Sequence, residues 1–192
     1  MKIFRLLVDM DGVLVDFDSG ACKAHGVTLE AMNQRRTPGE WNICKPLGEA
    51  KRGEALTLEE FWRPINRLSF TFWTGLRPLP WFKVMLDLME QFSESYVVTA
   101  PSRNTGSLGG KLESLRTLTR DLEFDRMIPT PHKHVLAQQG VVLIDDREST
   151  ILNFEKCGGT GVLFPTLGNR LYKHAADPMK KVIEQLEKKK CI

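Results

Sequence analysis

Short apolar runs recur along this chain and end abruptly on polar side chains. Residues 3–8, 96–99, 141–144 and 161–164 are almost continuously apolar, and a weaker run covers 126–128. Runs of this length without alternation predict strands buried on both faces, as in a parallel sheet. Helical spacing separates them. Trp81, Met85, Leu88, Met89 and Phe92 share one face of a helix beginning after Pro80. Leu112, Leu115, Leu118 and Leu122 repeat the pattern, and Ile151, Leu152 and Phe154 start a third helix that Gly158-Gly159 ends. A last helix over 178–189 turns Met179, Val182, Ile183 and Leu186 inward. These stripes are read as core packing.

Strands alternating with helices predict an α/β fold, a Rossmann-like parallel sheet flanked by helices. In such a sheet the chemistry sits beyond the carboxyl ends of the strands. Residues 18–75 break the alternation. They hold helix formers at 21–25 and 58–68, an irregular loop between them with Pro38, Gly39, Pro46 and Gly48, and no convincing strand. This reads as a small helical cap inserted after the first strand. Residues 1–17 and 76–192 then form the core, and Arg77-Pro78-Leu79-Pro80 brings the chain back to it.

Composition changes this picture little. Of 192 residues 42% are apolar, enough for a core, and the net charge of +3 comes partly from Arg35-Arg36 and Lys188-Lys189-Lys190. Such an excess is a solvated face, so nucleic acid is not an expected partner. No run approaches the ~20 apolar residues of a membrane span, and no signal peptide is visible. Cys22, Cys44, Cys157 and Cys191 lack CxxC spacing. A cytoplasmic protein with reduced thiols is expected. A structural zinc site is not, because His25, His132, His134 and His174 are scattered and the close pair His132/His134 has no cysteine nearby.

The strand ends carry the candidate chemistry. The first run stops at Asp9-Met10-Asp11-Gly12, the second at Thr99-Ala100-Pro101-Ser102, and the fourth at Asp145-Asp146-Arg147, with Lys133 in the preceding loop. Two acids one residue apart repel unless a cation, a proton or an electrophile lies between them. Mg²⁺ takes hard oxygen ligands, here drawn from Asp9, Asp11 (by its carbonyl), Asp145 and Asp146. An ionised Asp9 can attack phosphorus, and Asp11 can protonate the leaving oxygen and then activate water. Thr99, Lys133 and Ser102 are candidates for binding the phosphoryl oxygens.

This order of motifs resembles the haloacid dehalogenase (HAD) superfamily of phosphatases. Asp9-Met10-Asp11-Gly12-Val13, Thr99, Lys133 and Asp145-Asp146 stand where its four motifs stand. A narrower resemblance is to the 5′(3′)-deoxyribonucleotidases, through the extended element from Asp9 to Phe17, Leu79-Pro80, Thr99 with Pro101, and Leu143 to Arg147. Where that family has Thr-Ser-Pro this chain has Thr99-Ala100-Pro101, and Pro131-His132-Lys133 replaces its Arg-Asp-Lys. The resemblance implies an HAD-type core with a helical cap, Mg²⁺ as cofactor, and hydrolysis of (deoxy)nucleoside monophosphates through an aspartyl-phosphate on Asp9. It implies Asp11 as acid/base and favours Asp146 as the metal ligand of the acid pair. The cap aromatics Phe17, Phe70, Phe72 and Trp73 either stack on a base or pack the core. The expected partner is a small-molecule phosphomonoester, with no membrane partner, and the oligomeric state, monomer or homodimer, is left open. The other readings are a phosphatase for a sugar phosphate or a nucleic-acid 3′-phosphate, and a non-catalytic phosphate-binding module.

Overall fold

The computed structural model describes residues 5–192, so Ile3 and Phe4 of the first apolar run lie outside the described residues. Five strands form one parallel sheet: β1 (Arg5–Val8), β2 (Glu94–Thr99), β3 (Met127–Pro129), β4 (Val141–Asp145) and β5 (Thr160–Leu163), in the order β3-β2-β1-β4-β5. The central strand β1 pairs Leu7 with Tyr96 on one side and with Leu143 on the other. Leu6, Leu7 and Val8 are fully buried, which is why this strand reads as a solid apolar run.

Nine α-helices complete the described chain. Five precede β2 as a helical insertion: α1 (Phe17–His25), α2 (Leu29–Asn33), α3 (Cys44–Arg52), α4 (Leu58–Leu68) and α5 (Phe70–Thr74). The others are α6 (Phe82–Met89), α7 (Gly106–Thr119), α8 (Glu148–Lys156) and α9 (Pro178–Lys188). Ile151 and Phe154 of α8 cover the sheet face that carries Leu7, Val98, Leu143 and Leu163. Met85 and Leu88 of α6, Leu115 of α7, and Val182 and Leu186 of α9 pack with Leu6, Val97, Val142 and Ile144.

Three expectations are corrected. The presumed loop between the two insertion helices contains α2 and α3, and Pro46 and Gly48 lie inside α3. Proline is tolerated in a first turn, where its missing N–H has no partner to lose. Gly48 is required by crowding, since a Cβ there would stand 2.4 Å from the Glu54 carbonyl and 2.5 Å from the Leu56 amide. Leu122 is not on the core face of α7; the helix stops at Thr119, Arg120 turns left-handed, and Leu122 is 78% exposed. Leu152, 50% exposed, lies on the outer face of α8.

The insertion is stitched to the core at both ends. Asp16 caps α1 by accepting from the Ser19 amide at 3.0 Å, and the Asp16 amide donates to the Arg77 carbonyl on the returning chain. Thr57 and Glu60 form a reciprocal capping box on α4. Helix α5 then lies on α7 so closely that a Cβ on Gly110 would meet Trp73 Cβ at 2.7 Å and the Phe70 carbonyl at 2.9 Å. The thiols of Cys22, Cys44, Cys157 and Cys191 are free. Among the described residues no helix is long and apolar enough to cross a membrane.

Candidate active site

Asp9 and Asp11 leave the carboxyl end of β1 in a tight loop. The Gly12 amide donates to the Val15 carbonyl, the Leu14 amide donates to Met10, and Trp81 Nε1 donates to the Val13 carbonyl at 2.7 Å. Gly12 takes a φ of +78°, and a Cβ there would stand 2.5 Å from Asp146 Oδ2. A glycine is needed on both counts: the left-handed backbone, and the approach of a carboxylate across the sheet.

Lys133 opens a 3₁₀ turn over Lys133–Leu136, just before β4. Its buried ammonium donates to Asp9 Oδ1 at 2.5 Å and to Asp145 Oδ2 at 2.6 Å. Asp145 Oδ1 accepts from the Arg147 amide at 2.8 Å, so both oxygens of Asp145 are engaged. No hydrogen bond holds the Asp146 carboxylate among the described residues. Its backbone carbonyl accepts from Asn169 Nδ2 at 2.8 Å, and the same amide donates to the Phe164 carbonyl at 2.7 Å. Asn169, 1% exposed, thus ties the β5 exit to the acid pair. Nothing in its sequence neighbourhood marks it, because the contact is made by tertiary packing alone.

A second lysine enters from a direction that the sequence reading did not anticipate. Lys111, fully buried in α7, donates to Asp11 Oδ2, to Thr99 Oγ1 at 2.7 Å and to the Ala100 carbonyl at 3.0 Å. Its ammonium lies 4.6 Å from the centre of the Trp73 ring. Asp11 Oδ1 is left buried with no hydrogen-bond partner. The only sequence signal was a lysine in the apolar stripe beside Leu112 and Leu115, a place that normally means a solvated flank.

The remaining candidates divide. Thr99 joins the cluster through Lys111. Ser102 does not: its hydroxyl accepts from the Asn104 amide at 3.3 Å and its amide donates to Ser107 Oγ, which closes its own loop. Phe72 and Trp73 are 5% and 1% exposed. With the half-buried Phe17 they form one aromatic group, Phe17 stacking on Trp73 at 6.1 Å and meeting Phe72 edge-on at 5.8 Å. Phe70 is 44% exposed, on the rim of the α5–α7 seam.

The charges in this arrangement do not balance. Four carboxylates face two ammonium groups, which leaves an acidic excess. Burial, and then repulsion from Asp9 and Asp145, push the Asp146 carboxyl well above its ordinary range. Asp145 is pushed up to about 6 by burial and by Asp9, with Lys133 opposing. Burial also raises Asp11, with Lys111 pulling the other way. Burial alone would lower Lys133, but Asp9 and Asp145 outweigh it and keep the ammonium charged. Ligand oxygens of Asp9, Asp145 and Asp146 lie within 4.8 Å of one another. The residues fit a hard cation. Asp9 has one oxygen outside the Lys133 bond and Asp146 has both, whereas Asp145 is spent on orienting Lys133.

Solved structures of HAD-like hydrolases share this fold. An HAD-like family hydrolase from Streptococcus pneumoniae aligns with a TM-score of 0.58 at 16% identity, over 95% of this chain and 98% of that one. An HAD family hydrolase from Deinococcus radiodurans, solved with bound phosphate and sodium, gives 0.52 at 19% identity, over 85% and 82%. The HAD-hydrolase YfnB from Bacillus subtilis, solved with magnesium, gives 0.53 at 13%, over 85% and 87%. No family model and no curated protein matches this chain.

Proposed function

We propose that this protein is a Mg²⁺-dependent phosphomonoester hydrolase that works through an aspartyl-phosphate on Asp9. The observation that carries the reading is the grip of Lys133 on Asp9 Oδ1 and Asp145 Oδ2. It fixes Asp9 Oδ1, whose second lone pair can still face the cation, leaves Oδ2 for attack, and keeps one of the three N–H groups of Lys133 for a phosphoryl oxygen. Asp9, Asp146 and the Asp11 carbonyl would hold the Mg²⁺, which when bound supplies charge neutralisation between the attacking carboxylate and the anionic phosphate.

The chain's own residues then divide the work. Asp9 attacks phosphorus as the bond to the leaving oxygen breaks, and protonated Asp11 gives its proton to that oxygen. Asp11, now ionised, takes a proton from water as the water attacks the acyl-phosphate, which frees Asp9 and inorganic phosphate. Lys133 and the Thr99 hydroxyl stabilise charge on the equatorial oxygens. The insertion covers the site and excludes water.

The substrate class proposed is a (deoxy)nucleoside 5′-monophosphate. It is supported by the extended first motif from Asp9 to Phe17, whose ring is half-buried, whereas Phe72 and Trp73 are spent on packing. Phosphate release from 5′- and 3′-mononucleotides, sugar phosphates and 3′-phosphorylated oligonucleotides, with and without Mg²⁺, tests it. Asp9→Asn is expected to abolish release, a loss of more than about 10⁴-fold, while the protein stays folded by circular dichroism. Release by that variant at the wild-type rate would remove Asp9 as nucleophile.

A further inference from the structure

We propose that Lys111 is a positioning residue for Asp11, and that the docking of α5 onto α7 holds it in place; this rests on the phosphatase reading of the site. An ammonium has three N–H groups and no acceptor. Lys111 spends all three within the protein, on Asp11 Oδ2, Thr99 Oγ1 and the Ala100 carbonyl, and the Trp73 ring lies 4.6 Å from its nitrogen. It therefore has no donor left for a phosphoryl oxygen, in contrast to Lys133, which makes two such bonds. Two buried lysines meet two aspartates of one loop and do different work.

The work of Lys111 follows from what it touches. The terminal torsion of an aspartate is broad, with no sharp staggered wells. Gripped at Oδ2, Asp11 keeps a single orientation in which Oδ1 is the unbonded atom, buried and without a partner. Such an oxygen, prealigned and dry, can hand a proton to a leaving group without first reorienting. The grip depends on the insertion. Trp73 belongs to α5, and α5 reaches Lys111 because Gly106 and Gly110 present no side chains: a Cβ at 106 would stand 2.3 Å from Ser69 Oγ and 2.6 Å from the Phe70 amide. Beside this seam Asn104 ties the two parts together, accepting from the Ser69 hydroxyl at 2.7 Å and donating to the Asn66 carbonyl at 3.1 Å.

The test is dependence on the leaving group. An alkyl phosphate must have its leaving alkoxide protonated, whereas 4-nitrophenyl phosphate expels a stable phenolate. In Mg²⁺-loaded full-length protein, Lys111→Met is expected to lower kcat/KM for the alkyl ester by about 10²–10⁴-fold, the usual worth of a general acid. The aryl ester should lose no more than about tenfold. Lys111→Arg keeps the charge but not the three-way geometry. It should show the same unequal loss in smaller measure, and it serves if Lys111→Met does not fold. In an Asp11→Asn background, Lys111→Met should cost almost nothing further. Equal losses on both esters in a folded variant, or a full additive loss on top of Asp11→Asn, would overturn the assignment. A wild-type protein inactive on both esters would instead overturn the phosphatase reading beneath it.

Discussion

The two lysine corners of the site are built from different parts of the fold. At the Lys133 corner every group stands at a strand end or immediately beside one: Asp9 after β1, Asp145 and Asp146 at the end of β4, Lys133 in the turn before it. At the Lys111 corner the lysine comes from the middle of a helix face, and the wall behind it comes from the insertion. In the proposed reaction the first corner faces the phosphoryl group and a cation, where charge must be supplied. The second faces Asp11 and has no donor to spare, so it supplies alignment. A site of this kind separates the groups that neutralise charge from those that hold geometry, and it recruits the second set from whichever element packs nearest.

Removing Lys133 should give the largest effect that separates the corners. Lys133→Met leaves Asp9 and Asp145 facing each other with the ammonium gone. Loss of one such electrostatic contact to a developing charge costs about 10²–10³-fold in kcat. The expected loss is of that size or larger and equal for alkyl and aryl phosphates, because the charge on the equatorial oxygens does not depend on the leaving group. A loss confined to the alkyl ester would mean that the two lysines have been assigned the wrong way round. Stability should fall too, since breaking a buried ion pair from one side costs about 3–5 kcal/mol. Added Mg²⁺ should restore part of it, read as a rise in Tm that the wild type does not match.

The same division decides what could be read without the fold. Strand-end residues carry a local signature: an apolar run, then acids, then glycine or a turn. Asp9, Asp11, Thr99, Lys133 and the acid pair could therefore be placed together at one edge, along with the parallel sheet itself. Lys111 and Asn169 could not. Each sits among residues whose pattern says something else, and each acquires its partners from segments about 100 and 23 positions away. The helices α2 and α3 were missed for a related reason. Proline and glycine there looked like punctuation, yet Pro46 occupies a first turn and Gly48 gives way to the backbone at Glu54–Leu56. Leu122 failed in the opposite sense, since periodicity continued past the point where the chain turned left-handed at Arg120.

A middle-sized effect tests whether the seam matters to the Lys111 corner. Gly110→Ala places a methyl 2.7 Å from Trp73 Cβ and 2.9 Å from the Phe70 carbonyl. The latter is backbone and cannot rotate aside, so α5 must move. Alanine would gain about 0.5–1 kcal/mol of helix preference over glycine, against about 1–3 kcal/mol for overpacking. A lower Tm is expected, together with a selective fall in alkyl-ester turnover as Trp73 is pushed away from Lys111. An increase in Tm would show that the α5–α7 seam has slack, and would detach the insertion from the alignment of Asp11.

The smallest effect lies inside the insertion and contrasts its interior with the charged rim. His25 is buried, its Nε2 donating to the Phe61 carbonyl at 2.9 Å, while Nδ1 is buried without a partner. Protonating Nδ1 would place a donor where nothing accepts it, and burial lowers the pKa, with Lys51 adding to the effect. The folded protein keeps His25 neutral, whereas the unfolded chain begins to bind a proton below about pH 6.5. His25 therefore contributes stability above that pH, and the contribution is lost as pH falls toward the depressed folded value. The rim acids run the other way. Asp11, Asp145 and Asp146 have raised pKa values in the metal-free fold, so they take up protons more readily folded than unfolded and favour folding as pH drops. His25→Gln keeps a side-chain amide to donate to Phe61 and removes the titration. Between pH 7 and pH 5 in EDTA, the variant should lose less Tm, or gain more, than the wild type. Parallel Tm curves for the two proteins would mean that His25 is protonated in the fold as readily as in the unfolded chain, and that the interior of the insertion is wetter than its packing shows.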